Sequence, residues 1–220
     1  LRTSSAASDV YKRQVNIQVE NKNMTAERLN SVKEYYFSSK LREVSLLKKS
    51  GKPIINLGIG SPDLLPSGSI IKSLLESLDE PTAHQYQSYQ GIPELRKAIS
   101  SFYNTHYNVK LNSDEQILPL IGSKEGIMHI SMAFLNPGDK VLIPNPGYPT
   151  YSSVTKLLDA EPIPYELDES KGWLPDLEKL DKSDMSKVKL MWLNYPHMPT
   201  GSEANDEFYK KIILFAKKNN

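Results

Sequence analysis

The sequence of 220 residues contains no cysteine. That absence excludes a disulfide framework, a thiolate nucleophile and a zinc site built on cysteine, and it is typical of a reducing compartment such as the cytoplasm. An excess of one charge is also missing, since 27 basic and 26 acidic residues leave a formal net charge of +1. Such a balance provides no general attraction to nucleic acid or to an anionic membrane surface. We therefore expect a cytoplasmic protein that binds neither nucleic acid nor membrane.

Residues 1–14, LRTSSAASDVYKRQ, lack the apolar core that a signal peptide requires. Their pattern favours neither helix nor strand, so we interpret them as a leader foreign to the native protein. Metal-ligand spacing such as HExxH is also missing around His84, His106 and His129. We predict no metal site.

The rest of the sequence alternates between helix and strand patterns. Helical spacing of apolar residues covers residues 25–49 and 70–78 and continues from Pro93. Short apolar runs of strand length follow at 117–121, 140–144, 163–167 and 188–193, with helical segments at 124–135, 151–158, 174–180 and 203–218. Strands that are apolar on both faces are typical of parallel sheets covered on each side. The sequence thus predicts a doubly wound α/β fold, a mostly parallel sheet with helices on both faces, preceded by an N-terminal helical segment.

Three loops follow predicted strands, where open parallel sheets bind their ligands. GSKEG at 122–126 begins a helix whose free N–H groups suit a phosphate, although an ordinary strand-to-helix turn has the same pattern. NPGYPTY at 145–151 holds Tyr148 between two prolines, either as a fixed ring face for a planar ligand or as a cap on the hydrophobic core. NYPHMPTG at 194–201 is the third loop. Together the three indicate a ligand site more specifically than any one of them.

The sequence resembles the N-terminal half of the class I/II aminotransferases of fold type I, the pyridoxal-phosphate family that includes aspartate and LL-diaminopimelate aminotransferases. The matching segments lie in the family's order between residues 35 and 218: NLGIGSPDLLP, YQSYQGIPELRKAI, GSKEGIMHI, LNPGDKVLIPNPGYPTY and NYPHMPTG. The resemblance implies a pyridoxal 5'-phosphate cofactor, transfer of an amino group between an amino acid and a 2-oxo acid, and a homodimer. It also implies an N-terminal arm with part of a small domain at 15–68, and an incomplete cofactor-binding large domain at 69–220.

The resemblance assigns roles to individual residues. Ser123 and Lys124 match the positions that hold the cofactor phosphate, and Tyr148 matches the ring that stacks on the pyridine. Tyr86 matches the tyrosine that reaches across the dimer to the phosphate of the other subunit. Gly60 matches the glycine whose loop approaches the substrate carboxylate. Each role agrees with the residue chemistry, because an anion lies at a helix start and a flat ring lies against an aromatic face.

Met198 departs from the family pattern. The family's turn usually reads NPTG, and its asparagine makes a hydrogen bond to the phenolic oxygen of the cofactor. A thioether cannot donate and is at best a weak acceptor, so Met198 cannot replace that bond. The replacement is a tyrosine elsewhere in the protein, a water, or His197; alternatively His197 is an exposed turn residue.

The resemblance also implies that the lysine forming the Schiff base with the cofactor lies beyond Asn220. We therefore assign no catalytic residue within these 220 residues and expect the chain alone to be inactive. The leading hypothesis is an N-terminal fragment of an aminotransferase. Two alternatives remain, a pyridoxal-phosphate lyase or synthase on the same fold and a non-catalytic ligand-binding remnant.

Overall fold

Residues 26–31 and 34–219 are described in a computed structural model of the protein. The predicted leader at 1–14 lies outside the described residues. The chain divides into two compact units, residues 34–122, here called the helical unit, and residues 123–219 together with 26–31, here called the sheet unit. The predicted domains at 15–68 and 69–220 follow the family's architecture and stay a prediction.

The helical unit contains three helices. They are α1 (Tyr36–Lys49), α2 (Gly68–Leu78) and α3 (Pro93–Tyr107). Arg96 of α3 is buried, and its guanidinium Nη1 donates to the carbonyl oxygen of Ser113 at 2.9 Å. Several apolar residues of α2 and α3 are exposed, including Ile70, Leu74 and Phe102.

The sheet unit contains a parallel sheet and four helices in the described residues. In chain order its elements are α4 (Ser123–Phe134), β1 (Lys140–Asn145), α5 (Pro149–Leu157), β2 (Glu161–Glu166), α6 (Leu177–Asp181), β3 (Val188–Met191) and α7 (Asp206–Lys218). Short 3-10 turns lie at Glu27–Ser31 and Glu169–Lys171. The strand order is β2-β1-β3, so β1 is central and both of its neighbours run parallel to it. This confirms the predicted α/β class.

Helices cover both faces of the described sheet. On one face, Leu142 of β1 packs with Phe208, Ile212 and Phe215 of α7. On the other face, Val141 lies in a cluster with Leu135 and Ala160, against which Ile143 also packs. Successive side chains of a strand point to opposite faces, so one continuous apolar run supplies both cores. The apolar strand pattern is confirmed as the signature of a sheet buried on both sides.

Two predicted elements were wrong in part. Residues 117–121 form no strand, because none of the three strands in the described sheet pairs with them and a strand without a neighbour leaves its N–H and C=O groups unpaired. The single helix expected at 25–49 is a 3-10 turn at Glu27–Ser31 followed by α1. Tyr35 has an extended backbone at the start of α1, and Glu34 forms an ion pair with Arg42 in the second turn of the helix.

Two helices begin later than their apolar patterns indicated. The helix expected at 174–180 is the short α6, whose start is fixed by Asp176 accepting a hydrogen bond from the Lys179 N–H at 3.0 Å. The helix expected at 203–218 begins at Asp206, where the Asn205 side chain accepts from the Phe208 N–H at 2.9 Å. In both cases a side-chain cap decides the first residue, since it satisfies a donor that the helix leaves open.

Candidate functional site

The candidate site lies where β1 and β3 end and where α4 begins. Because β1 and β3 are paired in parallel, their carboxyl ends meet at one edge of the sheet. The pairing extends past β3, since the Trp192 N–H donates to the carbonyl oxygen of Leu142 at 2.9 Å. The loops that follow, 145–151 and 194–201, are therefore neighbours at that edge.

The start of α4 brings a cation and the first N–H groups of a helix to the site. Gly122 has a φ of +88°, which lets the chain turn sharply into the helix at Ser123. The first N–H groups of a helix have no partner within the helix and carry partial positive charge. The Lys124 ammonium lies 5.8 Å from the centre of the Tyr148 ring. The predicted residues Ser123, Lys124 and Tyr148 are thus brought together.

Three aromatic rings form the floor of this site. The half-buried Tyr148 meets Tyr151 edge to face, with ring centres 5.8 Å apart and an interplanar angle of 84°. Tyr151 stacks on Trp192 at 5.0 Å and 11°. Burial raises the pKa of the Tyr151 phenol above its ordinary value, and the neighbouring Tyr148 adds to the shift. Tyr148 therefore packs on the core, as expected of a cap on the hydrophobic core. Part of it stays accessible, as expected of a ring face for a planar ligand.

The two central side chains of the turn at 194–201, those of His197 and Met198, differ in burial. Met198 is 48% exposed, and its backbone N–H donates to Asn194 Oδ1 at 3.3 Å. His197 is 3% exposed, so the expectation of an exposed turn histidine was wrong. The turn closes on His197, whose N–H donates to the carbonyl oxygen of Ser202 at 2.7 Å and whose carbonyl oxygen accepts from the Gly201 N–H at 2.6 Å. These bonds turn the imidazole inward, beside the ring of Tyr195.

The imidazole of His197 is held on one side only. Its Nδ1 lies 2.8 Å from the Thr200 hydroxyl, whereas its buried Nε2 makes no hydrogen bond with any described residue. Burial lowers the pKa of His197 below its ordinary value, and the nearby Pro146 carbonyl opposes that shift. The neutral form is therefore favoured in the folded protein.

Acidification should destabilise the sheet unit through His197. A histidine whose pKa is lower in the folded than in the unfolded protein contributes stability that is complete above about pH 6.5 and is lost as the pH falls below that value toward the folded pKa. We expect the urea-unfolding free energy to fall between about pH 7.5 and about pH 5.5 more steeply in the native protein than in His197→Gln. His84, His106 and His129 are present in both proteins, so they contribute equally to the pH dependence of the unfolding free energy in both. Equal slopes would contradict the assignment.

Tyr86 and Gly60 lie in the helical unit. The Tyr86 side chain is fully exposed, and open space surrounds Gly60 where a Cβ would stand. Their roles toward a second subunit and toward a substrate carboxylate stay predictions.

Residues 52–220 match the family aminotransferase class I and II, which is more than half of the chain. The chain belongs to this family. It is 39% identical over 193 residues to LL-diaminopimelate aminotransferase of Halothermothrix orenii, covering 88% of this chain and 50% of that protein. It is 42% identical over 184 residues to transaminase BacF of Bacillus subtilis, covering 84% of this chain and 46% of that protein. The chain spans about half the length of the curated relatives it matches.

Solved structures show the same likeness. Apo-BacF from Bacillus subtilis superposes with a TM-score of 0.83 at 39% identity, covering 90% of this chain and 50% of that one. The aspartate aminotransferase from Rhizobium meliloti gives a TM-score of 0.80 at 26% identity, with 88% of this chain covered and 48% of that one. The fold is therefore that of pyridoxal-phosphate-dependent aminotransferases.

The residues of the sheet unit fit a phosphorylated planar cofactor such as the pyridoxal 5'-phosphate of this family. The start of α4 offers N–H donors and the Lys124 ammonium to a phosphate, and the partly accessible Tyr148 ring offers a face to a pyridine. The Met198 side chain provides no hydrogen-bond donor and at best a weak acceptor. Elsewhere in the described ranges, no three His, Asp or Glu side chains are grouped as metal ligands, and no helix combines the length and apolar character needed to cross a membrane.

Two features of the site went unpredicted. The Trp192 ring under Tyr151 follows from strand alternation, because Leu190 and Trp192 face one side of the sheet while Met191 and Leu193 face the other. The burial of His197 has no equivalent signal, since it depends on how the turn closes on Ser202.

Proposed function

We propose that the chain forms the phosphate- and ring-binding part of a pyridoxal-phosphate-dependent aminotransferase that moves an amino group between an amino acid and a 2-oxo acid. The observation that carries the proposal is the Lys124 ammonium 5.8 Å from the centre of the Tyr148 ring at the start of α4. Membership of the class I and II aminotransferases supports the reaction type. When bound, pyridoxal phosphate supplies an electron sink for negative charge at the substrate Cα.

The chain's own residues would bind and orient the cofactor. Ser123 and Lys124 hold the phosphate through the N–H groups and positive charge at the start of α4. Tyr148 presents its ring to the pyridine, and the Tyr151–Trp192 stack beneath it prevents the Tyr148 ring from sinking into the core. Met198 lies beside the site as an apolar residue, so the hydrogen bond to the phenolic oxygen comes from a group other than this side chain.

The finer parts of the proposal concern the helical unit and the whole protein. We propose that Gly60 approaches the substrate carboxylate, and that the exposed Tyr86 reaches the phosphate of a second subunit in a homodimer. A cytoplasmic location agrees with the absence of cysteine. The lysine that joins the cofactor covalently would come from a part of the protein outside these 220 residues.

Replacing Tyr148 should weaken cofactor binding. Aromatic ring pairs contribute about 0.5 to 1.5 kcal/mol beyond burial, so Tyr148→Leu should weaken the affinity for pyridoxal 5'-phosphate about two- to tenfold. Tyr148→Phe keeps the ring and should bind like the native protein. Titration calorimetry or tryptophan fluorescence measures the dissociation constant, with inorganic phosphate as a competitor for the α4 end of the site.

Tyr107→Leu, at an exposed tyrosine at the end of α3 in the helical unit, controls for a general effect of losing a tyrosine. Equal affinities of the native protein and Tyr148→Leu would contradict the ring assignment. For the reaction itself, the protein extended to the family's full length should transfer an amino group to a 2-oxo acid. Release of ammonia without such transfer would point to a lyase instead.

A further inference from the structure

Asn194 lies where the chain leaves β3 at the edge of the sheet that carries the candidate site. The side chains of Leu193 and Tyr195, on either side of it, pack with the core cluster that α7 covers. Trp192 packs on the opposite face of the sheet, in the cluster that includes Tyr148. Side chains of an extended segment alternate between the two faces, so the Asn194 side chain lies on the face of Trp192. It therefore shares a face of the sheet with the Tyr148 ring.

The carboxamide of Asn194 has a fixed orientation. The backbone N–H of Met198 donates to Asn194 Oδ1 at 3.3 Å. Because a backbone N–H can only donate, the amide oxygen is the atom that faces Met198, and the amide nitrogen Nδ2 faces the other way. This nitrogen makes no hydrogen bond with any described residue, and it is not one of the buried polar atoms without a partner. Its N–H donors are therefore available to a ligand, next to the backbone of Met198.

The other central side chains of the turn are less suited to bind a ligand oxygen. Met198 stands where the family's turn usually has an asparagine, and its thioether offers no donor. The His197 imidazole is 3% exposed, and its Nδ1 lies 2.8 Å from the Thr200 hydroxyl, so it faces the protein interior. Asn194 is half-buried and provides the same amide group that the family's turn has at the position of Met198.

We propose that the Asn194 amide replaces the hydrogen bond that Met198 cannot make, by donating an Nδ2–H to the phenolic oxygen of bound pyridoxal 5'-phosphate. The inference rests on the proposed function, because it concerns a residue that touches the proposed cofactor. A hydrogen bond to the ionised form of a group favours that form, so Asn194 stabilises the negative charge on the phenolic oxygen.

The proposed hydrogen bond can be removed from the ligand or from the protein. The analogue 3-deoxypyridoxal 5'-phosphate keeps the ring and the phosphate but lacks the phenolic oxygen. Asn194→Asp keeps an oxygen that accepts from the Met198 N–H and replaces the Nδ2 donor with a second carboxylate oxygen. We expect the native protein to bind pyridoxal 5'-phosphate about three- to tenfold more tightly than the analogue, and Asn194→Asp to lose that preference. Titration calorimetry measures each dissociation constant.

A matched substitution controls for the added charge. Asn104→Asp changes an exposed asparagine of α3 in the helical unit, and it should keep the native preference. The same preference in the native protein and in Asn194→Asp would overturn the proposal. Equal binding of both ligands by the native protein would also overturn it, while leaving the proposed function standing. If the native protein binds neither ligand, the proposed function fails, and the role of Asn194 fails with it.

A spectroscopic measurement on the native protein needs no variant to fold. The two side-chain N–H signals of Asn194 can be assigned in ¹H–¹⁵N spectra through their couplings to its β protons. We expect pyridoxal 5'-phosphate to shift one of these signals downfield, because a hydrogen bond to a charged oxygen deshields the donated proton, and the 3-deoxy analogue to leave it nearly unchanged. Equal shifts with the two ligands would overturn the proposal, because a purely structural role of Asn194 in the turn does not depend on the phenolic oxygen.

Discussion

Leu142→Ala should lower the free energy of unfolding by about 2 to 5 kcal/mol, the range for truncating a buried leucine. Leu142 is 1% exposed at the centre of the middle strand, where it packs against Phe208, Ile212 and Phe215 of α7. Truncation removes the most deeply buried of the side chains that join the sheet to this helix. Leu142 also borders an apolar groove of about 320 Å³ between β3 and α7. Neighbours can relax into the gap from that side, so we expect a value in the lower half of the range.

Urea unfolding followed by far-UV circular dichroism measures the loss. Leu214→Ala is the matched control, because Leu214 lies on the same helix and is 66% exposed. A surface substitution of this kind changes stability by no more than about 0.5 kcal/mol. Similar losses in the two variants would mean that α7 does not pack through Leu142, and would contradict the described core.

The order of elements in the sheet unit could be predicted from the sequence because its strands are mostly apolar, and the central strand β1 contributes side chains to the cores on both faces. The runs at 140–144, 163–167 and 188–193 are mostly apolar, so each is recognised as a strand without deciding which of its two faces is buried. The helices between them show apolar residues at the 3.6-residue spacing. Element ends were less accurate, because Asp176 and Asn205 set helix starts through single hydrogen bonds. The run at 117–121 has the same composition as the others but pairs with no strand of the described sheet. An apolar composition alone does not show which neighbouring strand a segment would pair with.

The two prolines of β2 indicate from the sequence that this strand lies at an edge of the described sheet. The N–H groups of Glu161 and Leu167 donate to the carbonyl oxygens of Asp139, just before β1, and Asn145, its last residue. Odd-numbered residues of β2 therefore face the central strand. Pro162 and Pro164 are even-numbered and lie where an N–H would point outward. Neither can donate to a further strand, and proline is tolerated in a sheet at such an edge. The outer side of β2 therefore offers no N–H donor to a further strand at these two residues.

Part of the candidate site followed from chain topology. The loops at 145–151 and 194–201 were expected together because loops after parallel strands share one edge, and the parallel pairing of β1 and β3 places them there. Lys124 lies near Tyr148 without the strand that was expected at 117–121, and the roles of Ser123, Lys124 and Tyr148 toward a cofactor stay predictions. The position of His197 could not be derived in that way. It depends on a turn closed by backbone hydrogen bonds to Ser202 and Gly201, and a short sequence does not encode which side chain such a turn directs inward.

Gly147→Ala should cost about 1 to 3 kcal/mol of unfolding free energy, because it forces an extra methyl group into a filled space. A Cβ on Gly147 would overlap the Pro144 carbonyl oxygen and stand 2.7 Å from Pro144 Cγ. Pro144 belongs to the central strand, so neither the carbonyl nor the ring can move aside without disturbing β1. The strain is therefore relieved by moving the loop, which carries Tyr148 as its next residue.

The same substitution should weaken binding of pyridoxal 5'-phosphate, since a displaced loop moves Tyr148 away from Lys124. Gly68→Ala is the matched control: nothing lies within 4 Å of the added methyl group, and Gly68 is the first residue of α2, where alanine favours the helix. We expect no loss of stability in the control. Thermal unfolding and a pyridoxal 5'-phosphate titration of both variants decide the matter. Full stability in Gly147→Ala would show that the loop has room for a side chain, and the close approach of Gly147 to β1 would then not be what positions Tyr148.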